Sequence, residues 1–183
     1  MSAGRISMRY AKALYRYACE QGVEEPIYNC MKKLRDFLRE AKEIEPILKN
    51  PSLGVDVKVE AVCGCVSQLQ EFRNFIALVV KAQREDLLLN IAYSFVSLYR
   101  KNKGILNIKI TTAVPMSADT RNDIATFVAQ HKNAAGVEIV NIVEPSIIGG
   151  FISQADYKRI DVSVKGQLDA IRKTLVKETR KLV

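Results

Sequence analysis

From residue 5 to about residue 103 the apolar positions recur every three or four residues, the interval that gathers side chains on one face of an α-helix; after Gly104 the interval becomes two. The helical pattern is broken at "GVEEP", "EIEP", "KNPSLG" and "QRED", which predicts about six helices. Beyond the change of period, Leu106, Ile108, Ile110, Thr112 and Val114 alternate with Asn107, Lys109, Thr111 and Ala113, predicting a strand that ends at Pro115. Met116 and Ser117 then open a helix with Ser117 as its N-cap and Ile124, Phe127 and Val128 as its apolar stripe. "GVEIVNIV" and "GFISQA" read as two more strands, and "YKRIDV" as a short return strand. A last helix, capped by Asp161 or Ser163, carries Val164, Leu168, Ile171 and Leu175 at spacings of four, three and four. The expected fold is α+β: an N-terminal six-helix bundle over residues 1–104, followed by a small C-terminal α/β unit over residues 105–183.

The first helix has more apolar surface than one buried face requires. At about 100° per residue, Ile6, Tyr10, Ala13, Leu14 and Tyr17 share one face and Met8, Ala11, Tyr15 and Cys19 lie nearly opposite. Arg5, Arg9, Lys12, Arg16 and Glu20 fill a narrow strip between them. Such a helix is either enclosed in the middle of a bundle or keeps one apolar face for a helix from another protein, and geometry alone favours enclosure. "FRNFIALVVKA" has a similar surplus: Phe72, Phe75, Ile76, Val79 and Val80 cover one broad face, which Leu78 extends.

With 48% hydrophobic and 26% charged residues the chain falls in the ordinary globular range, which excludes a disordered or fibrous protein. No apolar run approaches the roughly 20 residues of a membrane-spanning helix, and "MSAGRISMRY" lacks the apolar core of a secretory signal, so any membrane association is expected to be peripheral. The net charge of +8 points to acidic partners, nucleic acid or an anionic surface. Its densest patch, "KGQLDAIRKTLVKETRKLV", has a simpler origin, because cations near a helix C-terminus are favoured by the helix dipole. RNA binding through Arg5, Arg9, Lys12 and Arg16 is the alternative reading; base-stacking aromatics beside the strip would strengthen it, but Tyr10, Tyr15 and Tyr17 lie off it.

The search for chemistry yields no candidate catalytic residue, cofactor or metal site. The single histidine, His131, has no nucleophile-base neighbourhood, and Glu24-Glu25 and Glu85-Asp86 fall at helix starts, where negative charge has a structural reason. Cys19, Cys30, Cys63 and Cys65 form no CxxC pair and are expected to be buried, reduced thiols. Gly149-Gly150 lacks both the lysine followed by Ser or Thr of a phosphate loop and the third glycine of a dinucleotide fingerprint, so the pair is read as a bend or a close backbone crossing.

With these residues laid out, the chain resembles the delta subunit of bacterial F-type ATP synthases, related to the mitochondrial oligomycin-sensitivity-conferring protein. "RYAKALYRYACEQG" resembles that family's first helix with its Tyr-Ala-x-Ala signature, and "ILKNPSLGVDVKVEAV" its Asn-Pro segment followed by a lysine. "NFIALVVKAQREDLLLNIAYSFVSLY" is similar to the fifth and sixth helices with the arginine between them, here Arg84. "TTAVPMS" and "EPSIIGGFISQADYKRIDVSVKGQLDAI" resemble the C-terminal signature of Pro-Ser-x-x-Gly-Gly and Asp-x-Ser-Val. Two departures stand out: Met116 replaces a common leucine, and "QADYKRID" lacks the usual hairpin glycine, so the turn at Asp156 and Tyr157 is expected to differ.

The resemblance implies a non-catalytic stator of a proton-translocating F-type ATP synthase, peripheral on the cytoplasmic face of a bacterial membrane. Its helical domain would bind the N-terminal helix of an alpha subunit through its first and fifth helices, and its C-terminal domain the b subunits of the peripheral stalk, with no nucleic acid and no cofactor. On that footing the groove candidates are Tyr10, Ala13, Leu14, Ile76, Val79 and Val80, with Met8, Ala11 and Tyr15 as the fallback face, and Gly149 and Gly150 are structural hinges of the stalk-binding unit. The physical content of this reading is that the helices around residues 10 and 76 leave apolar surface for a foreign helix to cover.

Overall fold

A computed structural model describes residues 3–41, 43–132, 134–155 and 158–179, apart from the side chains of Ala3, Glu45 and residues 174–179. The expected turn at Asp156 and Tyr157, and the side chain of Leu175, lie outside the described residues. The chain is α+β and divides into two compact units, Met1–Tyr99 and Arg100–Val183.

The first unit is helical. It contains α1 (Ala3–Gln21), α2 (Glu24–Glu40), α3 (Ile44–Lys49), α4 (Val55–Val66), α5 (Gln70–Lys81), a 3-10 turn (Glu85–Leu87) and most of α6 (Leu88–Lys103), so the division between units falls inside α6. Pro26 and Pro46 occupy the third positions of α2 and α3, where a backbone N–H would have no helical partner in any case. One core joins the helices: Ala11 and Leu14 of α1, Ile27, Met31 and Leu34 of α2, Val59 and Val62 of α4, Phe72, Ile76 and Val79 of α5, and Leu88, Ile91 and Phe95 of α6 are all buried. Each large side chain withdrawn from water in this way contributes on the order of 1.5–3 kcal/mol. Tyr28 stacks on Tyr99 with ring centroids 4.1 Å apart, which ties α2 to α6. Of the four cysteines only Cys30 and Cys63 are buried; Cys19 and Cys65 are exposed, a correction that follows from their places on the outer faces of α1 and α4. Burial raises the Cys63 thiol pKa, which keeps it protonated and unreactive.

The second unit is built on a mixed four-stranded sheet. Its strands are β1 (Ile105–Thr112), β2 (Gly136–Val143), β3 (Phe151–Ala155) and β4 (Lys158–Asp161), in the order β2-β1-β3-β4. β1 runs parallel to β2, and α7 (Ala118–Lys132) forms the crossover; β3 and β4 pair antiparallel as a hairpin beside β1. Ile108 and Ile110 of the central strand are buried on one face, as the alternation requires. β1 stops at Thr112, short of Val114, whose carbonyl accepts a hydrogen bond from the Thr112 hydroxyl at 2.6 Å and turns the chain. Ser117 caps α7 by accepting from the Thr120 N–H at 3.1 Å. Phe127, expected in the apolar stripe of α7, is exposed and lies 4.0 Å from the His131 ring.

The last helix, α8 (Val164–Thr179), starts on a relay of two caps. Ser163 accepts from the Gly166 N–H at 3.0 Å, while Asp161 accepts from both the N–H and the hydroxyl of Ser163, at 3.0 and 2.6 Å. Those hydrogen bonds hold the Asp161 carboxyl below its usual pKa.

Candidate partner-docking surface

The fold uses one side of α1. Ser7, Ala11, Leu14 and Ala18, spaced four, three and four apart, are buried, and Tyr15 leans towards Phe95 and Tyr99 with ring centroids 6.3 Å from each. The fallback face is thereby divided: Ala11 and Tyr15 serve the core, while Met8 is exposed. About 100° further round the helix, Ile6, Tyr10, Ala13 and Tyr17 repeat the same four-three-four spacing. This second seam is open: Ile6 and Tyr10 are partly accessible, Ala13 is exposed, and Tyr17 is 40% exposed. Alternating steps of three and four are those with which one helix seats its side chains between those of another. Ala13, in the middle of the seam, permits a close approach, towards the short end of the roughly 8–10 Å interaxial range.

The six sequence-predicted groove residues therefore separate. Tyr10 and Ala13 line the open seam, whereas Leu14, Ile76, Val79 and Val80 are buried within their own unit. The reason is packing: α5 lies against α4 and α2, which consume its broad apolar face, so these side chains fix the helices without forming their surface. The apolar side chain that α5 does present to solvent is Leu78, 54% exposed, on the polar side of the helix between Asn74 and Lys81. Leu78, expected to extend the broad apolar face, lies outside it, because it precedes Val79 by one residue and so stands about 100° further round the helix, away from the α4 and α2 contacts.

Beside the open seam the end of α5 presents Arg84. The helix closes with two hydrogen bonds, Gln83 N–H to Val80 O at 2.9 Å and Arg84 N–H to Val79 O at 3.1 Å, which form a Schellman motif. Gln83 takes the left-handed position of that motif, with φ 53°, where glycine is the usual occupant. On the other side of Arg84, Glu85 is held by Lys58 of α4 through an ion pair at 2.5 Å, with both side chains largely buried. The backbone at Arg84 is thus held on one side by the helix end and bounded on the other by the anchored Glu85. With Ile6, Arg9 and Tyr10, Arg84 lines a cleft of ≈ 270 Å³, so the unit joins α1 and the α5 end at one surface feature.

The second unit carries a comparable seam. Val164, Leu168 and Ile171 of α8 are 39%, 53% and 57% exposed at four-three spacing. Gly149 and Gly150 stand where the chain turns from the Pro145–Ile147 3-10 turn into β3 and runs beside the start of α8. Val162 N–H donates to Phe151 O at 3.0 Å and Val164 N–H to Gly149 O at 3.1 Å, which bracket Gly150 against the β4–α8 connection. Gly150 has φ +72°, and a Cβ there would stand 2.3 Å from the Val162 carbonyl oxygen. The preceding Ile148 has φ 71°, a rare conformation for a β-branched residue, and its side chain is exposed.

Residues 6–175 match the family model described as ATP synthase delta (OSCP) subunit. The chain is 36% identical to the ATP synthase subunit delta of Bacteroides thetaiotaomicron over 100% of both chains. It is 32% identical to the subunit of the same name from Anaeromyxobacter dehalogenans over 96% of this chain and 99% of that one. Among solved structures, a chain of the Toxoplasma gondii mitochondrial ATP synthase hexamer superposes with a TM-score of 0.66, covering 93% of this chain and 97% of that chain at 22% identity, which is a likeness of fold. Matched along its whole length at this level of identity, the chain belongs to the ATP synthase delta (OSCP) family, a structural and non-catalytic subunit of the F-type ATP synthase.

Proposed function

We propose that this chain is the link in the stator of a proton-translocating F-type ATP synthase, joining the catalytic head to the peripheral stalk on the cytoplasmic face of a bacterial membrane. Its first six helices act as a six-helix bundle that receives the N-terminal helix of an alpha subunit along the open seam of α1. Its second unit holds the C-terminal ends of the b subunits along α8, with Gly149 and Gly150 shaping the support beneath that helix. Attachment to the membrane through the complex is part of the same proposal; no helix of the described residues is long and apolar enough to cross a membrane. The task is mechanical: a shaft turning in the head drags the head with it unless a static tie opposes the torque, and rotation then does no work on the catalytic sites.

The observation that carries the reading is the seam Ile6, Tyr10, Ala13 and Tyr17, which has helix-pairing spacing and is left open by its own unit. A synthetic peptide of the alpha-subunit N-terminal segment from the same organism tests it in a direct binding assay. Ala13→Asp is expected to leave the circular dichroism spectrum and melting temperature unchanged, since Ala13 is exposed, and to weaken peptide binding by about 100-fold or more by setting an unpaired charge in an apolar contact. Loss of the fold in this variant would place Ala13 in the core and remove the seam.

A further inference from the structure

We infer that the helix seated on α1 carries a carboxylate opposite Arg84 and Arg9, so that the apolar seam is locked at one point by a charge pair. This deepens the docking assignment above and rests on it. Arg84 is half-buried and its backbone is held by the helix end, yet its side chain has no hydrogen bond or ion pair with any described residue, although the chain holds 20 Asp and Glu. A guanidinium has five N–H donors in a fixed fork, and partial withdrawal from water without an acceptor is costly. Arg9, exposed and likewise without an ion pair to a described residue, lines the same cleft. Two like charges facing one cleft repel each other, and a carboxylate entering between them relieves that repulsion while accepting the paired hydrogen bonds for which arginine is shaped.

The surroundings favour a helix over a nucleic acid as the source of that anion. Ile6 and Tyr10 form the other wall of the cleft and belong to a seam with helix-pairing spacing, so the anion must arrive attached to an apolar surface. Arg5, Lys12 and Arg16 continue the cationic strip along the exposed side of α1 with no ion pair to a described residue. That arrangement steers an acidic helix towards the seam during encounter, while the partly desolvated Arg84 governs how long it stays.

The division of labour is testable with the full chain and the same alpha-subunit peptide, by following association and dissociation at several salt concentrations. Arg84→Met keeps most of the aliphatic stem and removes the charge; it is expected to weaken binding about 10- to 100-fold, chiefly through faster dissociation. Lys12→Gln is expected to slow association and flatten its salt dependence with little change in dissociation. Among single Asp→Asn or Glu→Gln changes in the peptide, one is expected to reproduce the Arg84→Met loss on the unaltered chain and to cost nothing further against Arg84→Met itself. Unchanged binding by an Arg84→Met chain that melts normally overturns the pairing while leaving the docking assignment standing, as does the absence of any peptide carboxylate that couples to Arg84. Failure of the unaltered chain to bind the peptide, or displacement of the bound peptide by single-stranded RNA, overturns the docking assignment and the pairing with it.

Discussion

Gly150→Ala is expected to destabilise the second unit by about 3 kcal/mol or more, a large share of the 5–15 kcal/mol that holds a typical domain together. Two costs add. An L-residue at the observed φ of +72° is unfavourable by about 1–2 kcal/mol before any contact is considered. The added methyl group would also lie 2.3 Å from the backbone oxygen of Val162, and a carbonyl cannot swing aside as the tip of a flexible side chain can. Relief requires parting the β4–α8 connection from Phe151 and Gly149, which breaks the hydrogen bonds that Val162 and Val164 donate and loosens the start of α8. The adjacent position is an internal control: a Cβ at Gly149 meets only the Val164 Cγ2 at 3.3 Å, so Gly149→Ala is expected to cost less than about 1 kcal/mol. Thermal and urea melts of the two variants separate these outcomes, and equal melting of both would show that the close crossing at Gly150 is absent. Gly150→Asp adds a charge at the same crossing, and is expected to lose stalk assembly as well as stability.

Lys58→Ala is expected to cost about 3–5 kcal/mol, since it leaves the largely buried Glu85 carboxylate without its ammonium partner. Salt should hardly alter this loss, because the pair is shielded from the screening that weakens exposed ion pairs. Replacing both members, as Lys58→Met with Glu85→Leu, is expected to recover most of the stability, because an apolar pair of similar volume avoids the desolvation of two charges. The two properties should then part company. The ion pair fixes the residue next to Arg84, so the double variant is expected to melt near the unaltered chain and still bind the alpha-subunit peptide more weakly. Full recovery of both stability and binding would mean that the Lys58–Glu85 strut has no part in presenting Arg84.

Local rules made much of this architecture legible. Period-two alternation located β1. Ser117, and Ser163 as one of two candidates with Asp161, were recognisable as caps because a short polar side chain can reach an unpaired N–H at a helix start. The surplus of apolar residues on α1 was also visible, since a helical wheel needs no knowledge of neighbours. Which surplus stays open could not be read, because it depends on Phe95 and Tyr99, some 80 residues away in sequence, meeting Tyr15 and not Tyr10. Ile76, Val79 and Val80 of α5 were assigned to a groove by resemblance, against the enclosure that helix geometry alone favours, because they look alike whether a partner or the chain's own α2 and α4 covers them. Arg84 was marked by resemblance alone; its role in the cleft depends on a left-handed Gln83 and an ion pair to Lys58, 27 residues distant from Glu85, neither of which leaves a periodic signal.

In the proposed stator a foreign helix covers one particular side of α1. Mapping backbone amide and side-chain NMR shifts of the full chain as the alpha-subunit N-terminal peptide is added tests it directly. The largest changes are expected at Ile6, Tyr10, Ala13, Tyr17 and Arg84, with Ala11 and Ile76 shifting only weakly because their own core already encloses them. Saturable binding with its largest changes around Met8, or confined to the second unit, would contradict this placement of the helix.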